Sequence, residues 1–177
     1  MLFFSKKTPE EKEAARLEKL RRKEGDRCFG GALMTPKGEL QLADICLAQL
    51  HPDTETLVVH CHRKELTIPY PNLRGLTCSS EVEILRGESP ITAEEMNDLL
   101  EGDAGQFVGP LNKNAGSRSR WFLRLDYVDR YGLSQSLIFI AYNMRGFYYA
   151  NNKLYAAVQF EETLQDIMSR YADVRGE

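Results

Sequence analysis

Apolar residues near the C-terminus recur with a helical rhythm. Ala157, Phe160, Leu164, Ile167 and Tyr171 follow one another at spacings of 3, 4, 3 and 4, which aligns them as one stripe on an α-helix. The opposite face carries Glu161, Glu162, Gln165, Asp166 and Arg170. Such a helix has to lay its stripe on an apolar surface, and the strands that precede it are the natural support. Those strands read by alternation. Trp121, Leu123, Leu125 and Tyr127 share one strand face, and Phe122, Arg124, Asp126 and Val128 the other. After the turn Asp129-Arg130-Tyr131-Gly132 the stretch 133–142 returns rich in Leu, Ile and Phe, so the pair predicts an antiparallel hairpin. Asn143-Met144-Arg145-Gly146 predicts one more turn before the helix.

At the other end, Thr8 offers an N-cap, Pro9 fits the first helical position and Glu11 completes a capping box, while Gly25 stops the helix. Its apolar residues are only Ala14, Ala15, Leu17 and Leu20. This helix is therefore expected to project from the body or lie loosely on it. From Arg27 to about Leu85 the pattern becomes short strands and turns. Apolar stretches at 29–34 and 40–50 flank Pro36-Lys37-Gly38, although Leu42, Ile45, Cys46 and Gln49 also fit a helical face. Leu57–His62 follows the break at His51-Pro52-Asp53, and Leu66, Ile68 and Tyr70 alternate after Arg63-Lys64. Cys78, Val82 and Ile84 are read as continuing the strand theme. Thr92 with Glu95, stapled by Ile91 and Met96, opens a second helix that ends at Gly102. The stretch 103–119 reads as a long surface loop.

With 42% hydrophobic and 28% charged residues, the chain has the proportions of a globular protein rather than a disordered or collagen-like one. The net charge of −3 is unevenly spread. Residues 1–24 carry eight basic and five acidic side chains, a surplus of three that leaves the remainder at −6. A body of that balance is a poor general binder of nucleic acid, so no specific nucleic-acid partner is expected. Cys28, Cys46, Cys61 and Cys78 lack the close pairing of a zinc knuckle or redox motif. Leu2, Phe3 and Phe4 are too short a run for a signal-peptide core, so the expected location is the cytoplasm, with reduced cysteines.

The order of elements resembles a known family. Leu66-Thr67-Ile68-Pro69-Tyr70 followed by Leu73-Arg74-Gly75-Leu76, then a strong hairpin and a C-terminal amphipathic helix, is similar to the strand transition of bacterial pleckstrin-homology-like domains. The resemblance spans roughly 27–172. It implies an α+β fold: a partly open antiparallel barrel of two packed sheets, closed at one end by the C-terminal helix. The helical segment at 91–101 and the glycine-rich loop have no necessary place in that simple barrel. The expected organisation is a charged helical extension over 1–25 and a pleckstrin-homology-like domain over 26–177, with an insertion at about 91–118. A second likeness, to the cyclic-dinucleotide-binding PilZ domains, rests on Ala43-Asp44-Ile45-Cys46, the ending Ala157–Phe160, and Arg21 with Arg22. There Cys46 replaces that family's serine and Gln49 its glycine.

Candidate chemistry is sparse, and no catalytic residue or cofactor is assigned. His60-Cys61-His62 is the one metal-like cluster, yet in a strand Cys61 points away from the face shared by the histidines, so a hydrolase or metal centre on His60 and His62 is an alternative only. Lys113, Arg118 and Arg120 place three cations at the mouth of the hairpin, a candidate anion site for a phosphorylated ligand. Leu2–Phe4 beside Lys6 and Lys7 offer a weak contact with an anionic membrane. The resemblance implies a binding or scaffolding module whose partners are proteins.

Overall fold

A computed structural model describes residues 8–141 and 150–176. The chain is α+β and contains one seven-stranded antiparallel sheet. Helix α1 (Pro9–Gly25) is followed by β1 (Cys28–Leu33), β2 (Ile45–His51), β3 (Thr56–Cys61), β4 (Lys64–Pro69) and β5 (Leu73–Ser80). Helices α2 (Glu81–Arg86), α3 (Ala93–Glu101) and α4 (Gly105–Val108) come next, then β6 (Trp121–Val128), β7 (Ser134–Ile140), α5 (Ala150–Arg170) and α6 (Ala172–Arg175). The strand order is β4-β3-β2-β1-β7-β6-β5. The predicted turn at 143–146 lies outside the described residues.

The sheet is continuous but not closed, since β4 and β5 are its two edges. It is strongly curled. Five strand spacings on a flat sheet would separate β4 from β6 by roughly 24 Å. Instead Ile68 and Pro69 of β4 line one cleft with Tyr127 and Val128 of β6, and Asn72 donates to the Val128 carbonyl at 2.9 Å. The concave face holds the larger core, where the α5 stripe Ala157, Phe160, Leu164 and Ile167 meets Leu33, Leu50, Val59, Leu76, Leu125 and Phe139. Phe29 packs edge-on against both Phe139 and Phe160. Gly31 permits the close approach of β1 to β7, because a Cβ there would lie 2.8 Å from that of Phe139.

Among the described residues the convex face is covered over one half only. Ile84, Ile91, Met96 and Ala104 of the helical insertion bury Ala32, Phe122, Ile138 and Ile140. Over the other half, Ile45 and Leu47 of β2 stay exposed.

Several local expectations resolve differently in the structure. The ambiguous stretch 40–50 resolves into a Lys37–Leu40 bridge and strand β2, because alternate residues Cys46, Ala48 and Leu50 find a core on one side. Val82 and Ile84 are helical rather than strand. Ser80 caps α2, accepting from Glu83 N while the Glu83 carboxylate accepts from Ser80 N, and this box ends β5 abruptly. The helical segment between β5 and β6 thus starts at Glu81, and the stretch after Gly102 contains α4 instead of a bare loop. Thr92 does cap α3, but Glu95 reaches Arg124 at 3.0 Å instead of closing a box.

Candidate functional site

A groove of about 850 Å³ runs between α1, α5 and the loop joining β2 to β3. Its outer wall is α1, whose start is built by the Thr8–Glu11 capping box, with Pro9 in the first turn. That helix packs on β2 at its end. Arg21 there reaches the Pro52 carbonyl at 3.4 Å and Asp53 at 3.3 Å. The inner wall is the polar flank of α5, with Glu162, Thr163, Asp166 and Arg170.

Two buried polar residues form the floor. Glu24, in the last turn of α1, is 7% exposed, and its Oε2 accepts from Arg170 at 3.0 Å. Tyr70, in the 3-10 turn after β4, is 1% exposed. Burial raises its hydroxyl pKa, and the neighbouring Glu24 carboxylate raises it further. Tyr70 Oη and Glu24 Oε1 are neighbours, and among the described residues neither has a further hydrogen-bond partner. Leu17 and Leu20 stand half exposed on the α1 wall.

The sequence-level candidates are dispersed by comparison. Arg120 turns into the body: its Nη2 reaches Glu81 at 2.6 Å and Pro110 O at 2.5 Å, its Nε reaches Glu81 at 3.1 Å, and Nη1 contacts the Val108 carbonyl. Lys113 and Arg118 remain on the exposed loop surface. The three cations are therefore divided, with Arg120 committed to a carboxylate and loop carbonyls that compete with any anion.

His60 and His62 do not share a strand face. His62 sits in the β3–β4 turn at φ 53, whereas His60 stacks edge-on against His51, with ring centres 6.0 Å apart, and its Nδ1 lies 3.7 Å from Glu65. Cys46 and Cys61 are buried beneath Asp44, which accepts from Gln41 N at 2.8 Å and Lys64 at 3.0 Å. Burial first, and then neighbouring groups, push the Cys46 thiol up to about 12. Among the described residues, no group of three or more His, Cys, Asp or Glu is placed to hold a metal ion. Of the PilZ-like pair, Arg21 is tied to Asp53 and Arg22 is exposed. Among the described residues, no helix is long and apolar enough to cross a membrane.

Glu24, Tyr70 and Glu81 were the residues that pattern reading passed over. Glu24 looks like one more charge on a charged helix, Tyr70 like an alternating strand residue, and Glu81 like a polar strand or cap position. Only their burial sets them apart. No family model, curated protein or solved structure matches this chain.

Proposed function

We propose that this chain is a binding module of pleckstrin-homology-like architecture, and that its ligand is a segment of a partner protein seated in the groove between α1 and α5. Support for the architecture comes from the curled seven-strand order and from the C-terminal helix packed in the concave face. The observation that carries the function is the groove itself. Leu17 is 53% and Leu20 50% exposed on a helix that adds no residue to the core, and both line a cleft backed by α5. Most of a helix's stability in a protein comes from packing of its apolar face, so a partner that covers these leucines also holds α1 in place. At 1.5 Å per residue the part of α1 that lines the groove, 17–24, presents a wall roughly 12 Å long, enough for about two turns of helix or a short extended peptide.

Photo-crosslinking in the native cell tests the reading. A photoreactive amino acid at Leu17 or Leu20 is expected to give discrete protein adducts, and one at the exposed Val174, outside the groove, is not. Adducts equal at all three positions, or absent from both leucines, would overturn it.

A further inference from the structure

Strand pairing brings two of the four thiols face to face. Leu47 lies opposite His60 in the β2–β3 ladder, so the next rung sets Cys46 against Cys61. The phase of that rung follows from the bonds on either side. Tyr70 N donates to the Glu55 carbonyl at 2.8 Å, and counting along the β3–β4 register from that bonded pair turns the Cys61 main chain toward Lys64. Leu50 N donates to the Arg27 carbonyl at 3.4 Å, and the same count along β1–β2 turns the Cys46 main chain toward Gly31. Cys46 and Cys61 are therefore a pair of the close, non-hydrogen-bonded kind, with Cα atoms about 4.5 Å apart. Disulfides span Cα separations of about 4.4–6.8 Å, so a bond fits here at the short end of that range without separating the strands.

Both side chains point into the concave core, and each residue is 3% exposed. After burial, the strongest influence on the Cys46 thiol is Cys61 beside it. The other two cysteines have no such counterpart, since Cys28 lies opposite Gln49 and Cys78 opposite Leu123. Burial keeps Cys46 and Cys61 protonated and shielded, so exchange belongs to the open chain and the fold contributes proximity. We propose that Cys46 and Cys61 are a redox pair that closes as a disulfide across β2 and β3 when the chain folds in the presence of a low-molecular-weight disulfide. In the open chain one cysteine thiolate attacks the reagent's S–S bond, forming a mixed disulfide and releasing one thiol. Strand pairing then presents the second cysteine, which attacks the protein-side sulfur and displaces the other thiol. The protein gives up two protons and two electrons, and the oxidant leaves as two thiols. Once made, the bond is sheltered by the same burial and fastens β3 to β2, whatever occupies the groove between α1 and α5.

The test unfolds the full chain in urea, dilutes it into glutathione buffers of graded reduced-to-oxidised composition, quenches with acid, and blocks free thiols with iodoacetamide in fresh denaturant before peptide mapping. The expected product is about 2 Da lighter than the reduced chain before blocking, linked from Cys46 to Cys61 and alkylated only at Cys28 and Cys78. Expressed as reduced glutathione squared over oxidised, half-closure in native buffer should come at a value at least about tenfold higher than for the chain kept in urea, because pairing raises the effective concentration of one thiol at the other. The double change Cys28→Ser with Cys78→Ser should leave that value unchanged, and Cys46→Ala should abolish the product. If Cys46→Ala does not fold, the peptide map of the native sequence carries the decision. A half-closure value no higher than in urea, glutathione retained on Cys46 or Cys61, or a bond from either of them to Cys28 or Cys78 would overturn the proposal.

Discussion

Removing the Arg120 guanidinium should cost this protein more than any surface charge can explain. Glu81 is 1% exposed and accepts four bonds: from Asn112 N at 2.9 Å, Arg120 N at 3.0 Å, Arg120 Nε at 3.1 Å and Arg120 Nη2 at 2.6 Å. Arg120→Met keeps the two backbone donors and deletes the two charged ones. Each such bond is worth about 1.5–3 kcal/mol, and breaking a buried pair from one side costs about 3–5 kcal/mol. Since two backbone donors remain, a loss of about 3 kcal/mol is expected in urea unfolding at neutral pH. Replacing both partners, as Glu81→Leu with Arg120→Leu, should recover most of that loss, because no buried charge is then left unpaired. The pH dependence gives a second readout. Burial pushes the Glu81 pKa up, but the bonds from Arg120 and Asn112 outweigh it and leave the pKa below the usual carboxylate range. A lowered folded-state pKa means stability present above the unfolded value of about 4.3 and lost as pH falls through the folded one. In Arg120→Met the burial effect is no longer outweighed, so the gap between native and variant should be widest near neutrality and narrow as pH falls through the carboxylate range. A loss under about 1 kcal/mol, with the gap constant in pH, would refute the assignment of this pair as the anchor of the 109–120 segment.

Other substitutions test separate parts of the structure. Gly31→Ala should destabilise by about 1–3 kcal/mol in the same urea assay, because its Cβ would meet Phe139 and the Ile140 carbonyl; an unchanged midpoint would mean that β1 and β7 are not so close. Leu164→Ala removes a fully buried residue of the α5 stripe and should cost about 2–5 kcal/mol, measurable as a lowered Tm. Tyr70→Phe should change stability by less than about 1 kcal/mol, since the hydroxyl it deletes is buried with only the neighbouring Glu24 carboxylate to bond; a larger loss would show that this contact is a full hydrogen bond. Cys46 and Cys61 should resist thiol reagents in the folded protein and react on denaturation, as expected of buried thiols whose pKa values are raised; rapid native labelling of either would contradict their burial.

What the sequence shows and what it hides divide along sequence distance. The Thr8–Glu11 box, the Thr92 cap, the 121–140 hairpin and the α5 stripe are legible because each is written within a few turns or one hairpin of the chain. Strand β2 is less legible, since its apolar residues satisfy two periods and only a core on one face decides between them. The Ser80–Glu83 box is also local, but it follows an unbroken run of strand-like residues that masks it. Arg120 and Glu81 lie 39 residues apart, and nothing in either neighbourhood announces the other. An arginine read alone in a glycine-rich segment therefore resembles an anion binder, whereas its own carboxylate is already the anion. The groove is hidden for the same reason: Glu24 meets Arg170 across 146 residues. The pairing of His60 with His51 rather than His62 follows from a turn that removes His62 from the strand.

The join between β1 and β7 also governs the order in which the molecule can assemble. Strands β2, β3 and β4 form a meander of near neighbours, and β6 with β7 is a tight hairpin, so both can form early with short loop closures. Among the described residues the β1–β7 ladder aligns Ala32 with Ile140 and Leu33 with Phe139, and Met34 N donates to the Ile138 carbonyl at 2.7 Å, across more than a hundred residues of intervening chain. That long closure returns little until α5 arrives to fill the curve between the halves. The sheet is thus two quick local units joined across a long closure, and the rate of folding is expected to follow that joining.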